Sequence, residues 1–199
     1  SDKRIVCSGF RGHASAPVGQ LVEIVGLPEA DPPVELSTTG SHTNYGLDTT
    51  CARTLSGKAF CWGADRWGQS GSNGAGWELT PKVVPGVQNA VTLGAGDEGT
   101  MAVIDGGPAL QWGSMRALGN QLHDGTSQVV PKAMPGATEQ LVQLTIGGYD
   151  SRVYGVTKTG GLYAVQYGAP QVDLGLQGFP GALPFLPGVI ALPDLDVGV

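Results

Sequence analysis

The chain repeats itself at a spacing of fifty residues. The stretch from Cys51 to Gly63 (CARTLSGKAFCWG) lines up without a gap on Met101 to Gly113 (MAVIDGGPALQWG), so that Trp62-Gly63 falls on Trp112-Gly113. The register continues beyond it: Pro81-Lys82 meets Pro131-Lys132, and Pro85-Gly86 meets Pro135-Gly136. A period this long, built of short strand-like runs and turns, belongs to a propeller or a related array. One such unit cannot bury its apolar face alone and has to stack on its neighbours. Repeated units of this kind usually serve as scaffolds for binding loops, which lowers the expectation of catalysis.

Almost nothing in the sequence has helical spacing. The apolar runs are short and rich in Val, Leu and Thr: Val34 to Leu36, Val91 to Leu93, Met101 to Ile104, Val142 to Ile146 and Val153 to Thr157. Ser56-Gly57, Asp105-Gly106-Gly107 and Thr159-Gly160-Gly161 have the chemistry of tight hairpin turns. The 33 glycines and 14 prolines therefore read as punctuation between strands, and the 199 residues as enough for a sizeable core. With 11 basic against 17 acidic residues the net charge is −6, which argues against a nucleic-acid or anionic-membrane footprint. No apolar run approaches the length of a membrane span, and the start has no apolar leader core, so any signal peptide is expected to have been removed.

The expected fold is all-β, a propeller-like array of about four four-stranded blades in a single repeat domain over 1–199. The units run approximately over 1–50, 51–100, 101–152 and 153–199. The strand before the hairpin recurs at about 47–55, 99–105 and 151–157. The strand after it recurs at Ile5 to Gly9, Ala59 to Gly63, Ala109 to Gly113 and, in degenerate form, Leu162 to Val165. On this reading the chain begins in mid-blade, and Leu192 to Gly198 matches the strand that precedes a new hairpin.

The run Cys61-Trp62-Gly63-Ala64-Asp65-Arg66-Trp67-Gly68-Gln69-Ser70-Gly71 resembles the signature of the regulator-of-chromosome-condensation repeat family: Trp-Gly, a short loop, then Gly-Gln-x-Gly, followed by a Pro and a Pro-Gly turn. Only 51–100 carries the whole motif; Leu118-Gly119-Asn120-Gln121-Leu122 is a loose echo. The kelch family has a similar period, and Gly147-Gly148-Tyr149 hints at it, but the order of Trp-Gly and Gly-Gln-x-Gly favours the first family. The resemblance implies four-stranded blades round an axis, usually seven, so four units make an incomplete or open array. Family members include chromatin-binding nucleotide-exchange factors and a secreted inhibitor of β-lactamases. No residue here matches an exchange-factor wedge, and the acidic charge opposes chromatin binding.

Cys51 and Cys61 flank Ser56 symmetrically and would face each other across the hairpin, within reach of a disulfide. Secreted bacterial repeats of the family are similar, with one Cys before the turn and one before Trp-Gly; the competing reading is two buried thiols. Cys7 takes the place of Cys61 in the preceding unit. Three cysteines without ligand spacing point to no metal. Gly94-Ala95-Gly96-Asp97-Glu98-Gly99 spells a dinucleotide fingerprint, but strand-like residues follow where the motif needs a helix, so no cofactor is expected. His13, His42 and His123 lie far apart and no nucleophile elbow accompanies them, so no catalytic residue is assigned. Trp62 and Trp112 share one repeat position and read as core between blades. Trp67 and Trp77 have no counterpart in the next unit and read as candidate partner contacts in a long loop, with Arg66 and Arg116 beside them; the competing reading is local packing of the loop on its own blade.

The reading these features support is a non-catalytic module that binds or assembles with another protein, in the extracellular space or the cell envelope. Its partner would be another copy, an upstream part of the same precursor, or a different subunit. A secreted enzyme inhibitor is the specific alternative, and a hydrolytic enzyme the remote one.

Overall fold

In a computed structural model the fold is described over residues 4–7, 20–39, 48–72, 76–114, 127–134, 141–146, 153–157 and 162–165. Among these there is no helix. Thirteen strands form four antiparallel sheets. The first sheet pairs β1 (Val6–Cys7) with β2 (Val22–Glu23). The second is a four-stranded meander of β3 (Pro33–Thr38), β4 (Thr49–Thr54), β5 (Ala59–Asp65) and β6 (Gly76–Val83). The third repeats it with β7 (Ala90–Ala95), β8 (Gly99–Ile104), β9 (Ala109–Ser114) and β10 (Ser127–Ala133). The fourth contains β11 (Leu141–Ile146), β12 (Val153–Thr157) and β13 (Leu162–Val165).

The strands on either side of each hairpin lie where the fifty-residue register puts them. The sheets, however, are displaced from the sequence units by one strand. Residues 51–100 hold most of β4, all of β5 and β6, then β7 of the next sheet and the first residues of β8. Residues 101–152 likewise hold most of β8, all of β9 and β10, then β11 of the next sheet, so these sequence units reach across into the following blade.

The sheets stack face to face, and each interface is a separate apolar core. Cys51, Ala59, Cys61, Val84 and Val87 of the first meander meet Ala90, Leu93, Ala95, Ala102 and Trp112 of the second. Met101, Val103, Ala109 and Met134 then meet Leu141, Leu144 and Val153 of the next sheet. On the other side Ala52 and Trp62 are covered by Ile5 and Ile24 of the small first sheet. Trp62 and Trp112 are thus core residues between sheets, as their shared repeat position implies.

The glycine of each Trp-Gly has a structural cause. Gly63 and Gly113 sit at φ of 102° and 104°, in the region that favours glycine. A Cβ at either would lie 2.3 Å from the Asp48 carbonyl oxygen or 2.5 Å from that of Glu98. Those same carbonyls accept the N–H of Ala64 (2.8 Å) and of Ser114 (2.7 Å). The motif therefore marks where the third strand of a blade presses against the start of the second.

Cys51 and Cys61 are bonded, as cross-strand neighbours in the β4–β5 ladder. Met101 and Gln111 hold the same ladder position one blade on, where no crosslink is made. Cys7 is a free, half-buried thiol, and burial pushes its pKa up.

Candidate binding site

The connection from β5 to β6 is folded onto its own carboxylate. Asp65, fully buried at the end of β5, accepts the Ser70 N–H at 2.8 Å and the Ser72 hydroxyl. Backbone bonds from Gly68 N to Asp65 O (3.1 Å) and from Gly71 N to Gly68 O (2.9 Å) close two successive turns. Asp suits this place because its short side chain can reach backbone donors a few residues ahead.

These turns drive Gln69 into the gap between the two meanders, where it is completely buried. Its backbone carbonyl accepts from Trp112 Nε1 at 2.9 Å and from the Thr100 hydroxyl at 2.7 Å. Its side-chain amide donates to the Asp97 carbonyl at 3.2 Å and accepts the Trp67 N–H at 2.8 Å. Asp97 in turn takes the hydroxyl of Thr39 from the first meander. One glutamine thus satisfies polar groups of two sheets that would otherwise be buried without partners, which is costly.

Above this clamp the loop presents Arg66 and Trp67. The Arg66 guanidinium carbon stands 5.3 Å from the Trp67 ring centre, a cation–π distance. Arg66 is exposed and Trp67 half-buried. Trp77 lies on β6 rather than in the loop, opposite Ala64, because the outer strand begins at Gly76, earlier than the sequence suggests. It remains 42 % exposed, with Leu79 and Val83 of the same strand also in water. Arg66 and Trp67 follow β5 directly and Trp77 is the second residue of β6, so the three stand at the same end of the β5–β6 pair. Arg116 lies outside the described residues, as do His13, His42 and His123.

The dinucleotide-like glycines form the β7–β8 hairpin, closed by Gly96 N to Gly99 O at 2.8 Å, and strand β8 follows them. A surface hollow of about 550 Å³ lies beside the small first sheet, walled by Ile5, Ile24, Leu27 and Pro28. The ion pair of Arg4 and Glu23, 3.4 Å apart, stands at its rim. No helix among the described residues is long and apolar enough to cross a membrane, and no group of His, Cys, Asp and Glu among them could hold a metal ion.

What the sequence reading missed is the clamp. Gln69 was visible as part of Gly-Gln-x-Gly, but nothing in the spelling says that its side chain points inward. Glu35 was missed as well. It pairs with Arg53 at 2.6 Å and accepts from Thr92 Oγ1 at 2.7 Å and Leu93 N at 3.3 Å in the next sheet.

No family model matches the sequence, and no curated protein does. Solved structures do match. Prp20p from Saccharomyces cerevisiae superimposes with a TM-score of 0.62 at 16 % identity, over 82 % of this chain and 39 % of that one. The fold is an RCC1-type repeat fold. Human WBSCR16 gives a TM-score of 0.60 at 18 % identity, over 75 % of this chain and 36 % of its own. Yeast RCC1 (Prp20) bound to Kap60 gives 0.55 at 17 %, over 72 % and 31 %. The chain therefore spans between 31 % and 39 % of the length of these RCC1-type propellers. The structure of Prp20p is described together with its binding to Gsp1p and histones. At these identities the likeness concerns the fold alone.

Proposed function

We propose that this chain is a non-catalytic protein-binding module whose contact surface is the corner formed by Arg66, Trp67 and Trp77. One observation carries the reading: Arg66 and the half-buried Trp67 stand on a loop that the buried Gln69 locks between two blades, and the exposed Trp77 lies at the start of the outer strand β6 at the same end of the sheet. Aromatic and arginine side chains on a rigid base dominate protein interfaces, because little freedom is lost when a partner covers them. The RCC1-type neighbours, one of them captured with Kap60, support a protein as the partner class. The net charge of −6 favours a protein over nucleic acid. The Cys51–Cys61 bond supports an oxidising compartment, hence the extracellular space or cell envelope.

The test is capture of partners from the native source on the immobilised chain, in parallel with a Trp67→Ala/Trp77→Ala variant. A protein retained by the parent and lost by the variant is the expected result. Equal retention by both would move the contact elsewhere, and turnover against a hydrolase panel would replace the binding reading with an enzymatic one.

A further inference from the structure

The Lys and Arg side chains of the described residues fall into two groups. Arg4, Arg53 and Lys58 each stand within 4.0 Å of a carboxylate, those of Glu23, Glu35 and Asp31. Arg66, Lys82 and Lys132 are exposed and have no ion pair among the described residues.

These last three share one rim of the molecule. Lys82 and Lys132 hold the same ladder position on β6 and β10, opposite Cys61 and Gln111, and β6 and β10 are the outer strands of the two meanders. Arg66 opens the loop between β5 and β6, and that loop reaches β10: a Cβ on Gly68 would lie 2.9 Å from Val129 Cγ2. The cations are therefore carried by two successive blades that meet at this loop. Carboxylates beside Arg66 are engaged elsewhere. Asp65 accepts the Ser70 N–H and the Ser72 hydroxyl, and Glu78 lies 2.9 Å from that same hydroxyl. The Arg66 guanidinium lies over the Trp67 ring, and a stacked guanidinium keeps its N–H edge free for a planar carboxylate. At physiological salt a charge acts over about 8 Å, so the distant acids behind the net charge of −6 do not cancel these local cations.

We propose that this rim takes an acidic segment of a partner protein, with carboxylates set against Arg66, Lys82 and Lys132 and apolar side chains between them. Trp77 and Leu79, 42 % and 57 % exposed, supply the apolar contact, since they lie on β6 between the Arg66 end and Lys82. Side chains make this contact, not the backbone edge of β6. Pro81 and the register shift opposite Trp62 interrupt that edge, and such devices keep a strand from pairing. A nucleic acid fits less well: it is charged at every step and would run past the rim onto a chain of net charge −6. The proposal rests on the reading of Arg66, Trp67 and Trp77 as the contact corner and adds what the partner must carry.

The test uses the full chain and a short labelled peptide that alternates Asp and Leu, beside its Asn–Leu and Lys–Leu counterparts and a short oligothymidylate. The Asp peptide is expected to bind about tenfold more tightly than the Asn peptide, with added salt closing the gap. Arg66→Gln is expected to weaken the Asp peptide about tenfold, and Arg66→Glu to shift the preference to the Lys peptide. Lys82→Gln/Lys132→Gln should weaken it less and flatten the salt dependence. Because the changed side chains are exposed, β-sheet circular dichroism should match the parent in each variant. No binding of the Asp peptide, equal binding of the Asn peptide, an unchanged preference in Arg66→Glu, or tighter binding of the oligothymidylate would overturn the acidic-partner assignment. The corner reading fails separately: a Trp67→Ala/Trp77→Ala variant that binds the Asp peptide as the parent does would sink it. A protein partner lost by that variant but kept by the Arg66 and Lys variants would overturn the charge assignment alone.

Discussion

Asp31 ties the β4–β5 turn to the segment before β3. Its carboxylate accepts the Ser56 N–H at 2.8 Å and the Ser56 and Thr54 hydroxyls, with Lys58 Nζ at 4.0 Å. Burial alone would raise its pKa, but those hydrogen bonds and the Lys58 charge outweigh it and hold the carboxyl below its ordinary 3.8. A depressed carboxyl contributes stability that is fully present above the unfolded value and is lost as pH falls through the folded one. Asp31→Asn is therefore expected to lower the urea midpoint at pH 7, with the gap to the parent closing below about pH 4. A gap that stayed constant down to pH 2 would mean the charge is irrelevant there. Gln69 was legible as a motif letter and illegible as a clamp, because its inward direction is set by the turns on Asp65. Gln69→Ala strips partners from Asp97 O and Trp67 N and is expected to cost about 1–3 kcal/mol of unfolding free energy. A loss below about 0.5 kcal/mol in denaturant titration would show that water replaces the amide.

At the scale of strands and turns the repeat register carried most of the information. It placed β4, β5, β8, β9, β12 and β13, because alternating apolar residues and glycine turns are local properties. It misplaced Trp77, since an outer strand that is mostly exposed has no apolar alternation to reveal its start. The Trp-Gly glycine offers a direct check. Gly113→Ala would place a Cβ 2.5 Å from the Glu98 oxygen at a φ of 104°, and is expected to cost about 1–3 kcal/mol from backbone strain, with the close contact adding to it. Thermal unfolding unchanged within error would sink this account of the motif. The disulfide is a second check at the same scale. The Cys51→Ala/Cys61→Ala variant should be less stable by about 2–3 kcal/mol, read from chemical denaturation. A variant as stable as the parent would indicate that the hairpin is already ordered in the unfolded chain.

Across the whole molecule, stability resides in interfaces between blades, each with its own apolar cluster. Arg53–Glu35 lies in the first of them, and its second carboxylate oxygen reaches Thr92 and Leu93. Glu35→Ala is expected to loosen the contact between the first and second meanders ahead of the rest, seen as faster amide exchange at Leu93 and the β7 strand than at β12. Uniform acceleration would mean that the sheets open together. The fifty-residue period sufficed for the all-β class, the repeat type, the hairpins, the cross-strand cysteines and the core tryptophans. Each of these follows from the local pattern of one unit stacked on another like it. The Gln69 clamp and the Glu35 bridge were decided by the tertiary structure, because they depend on which sheet lies beside which.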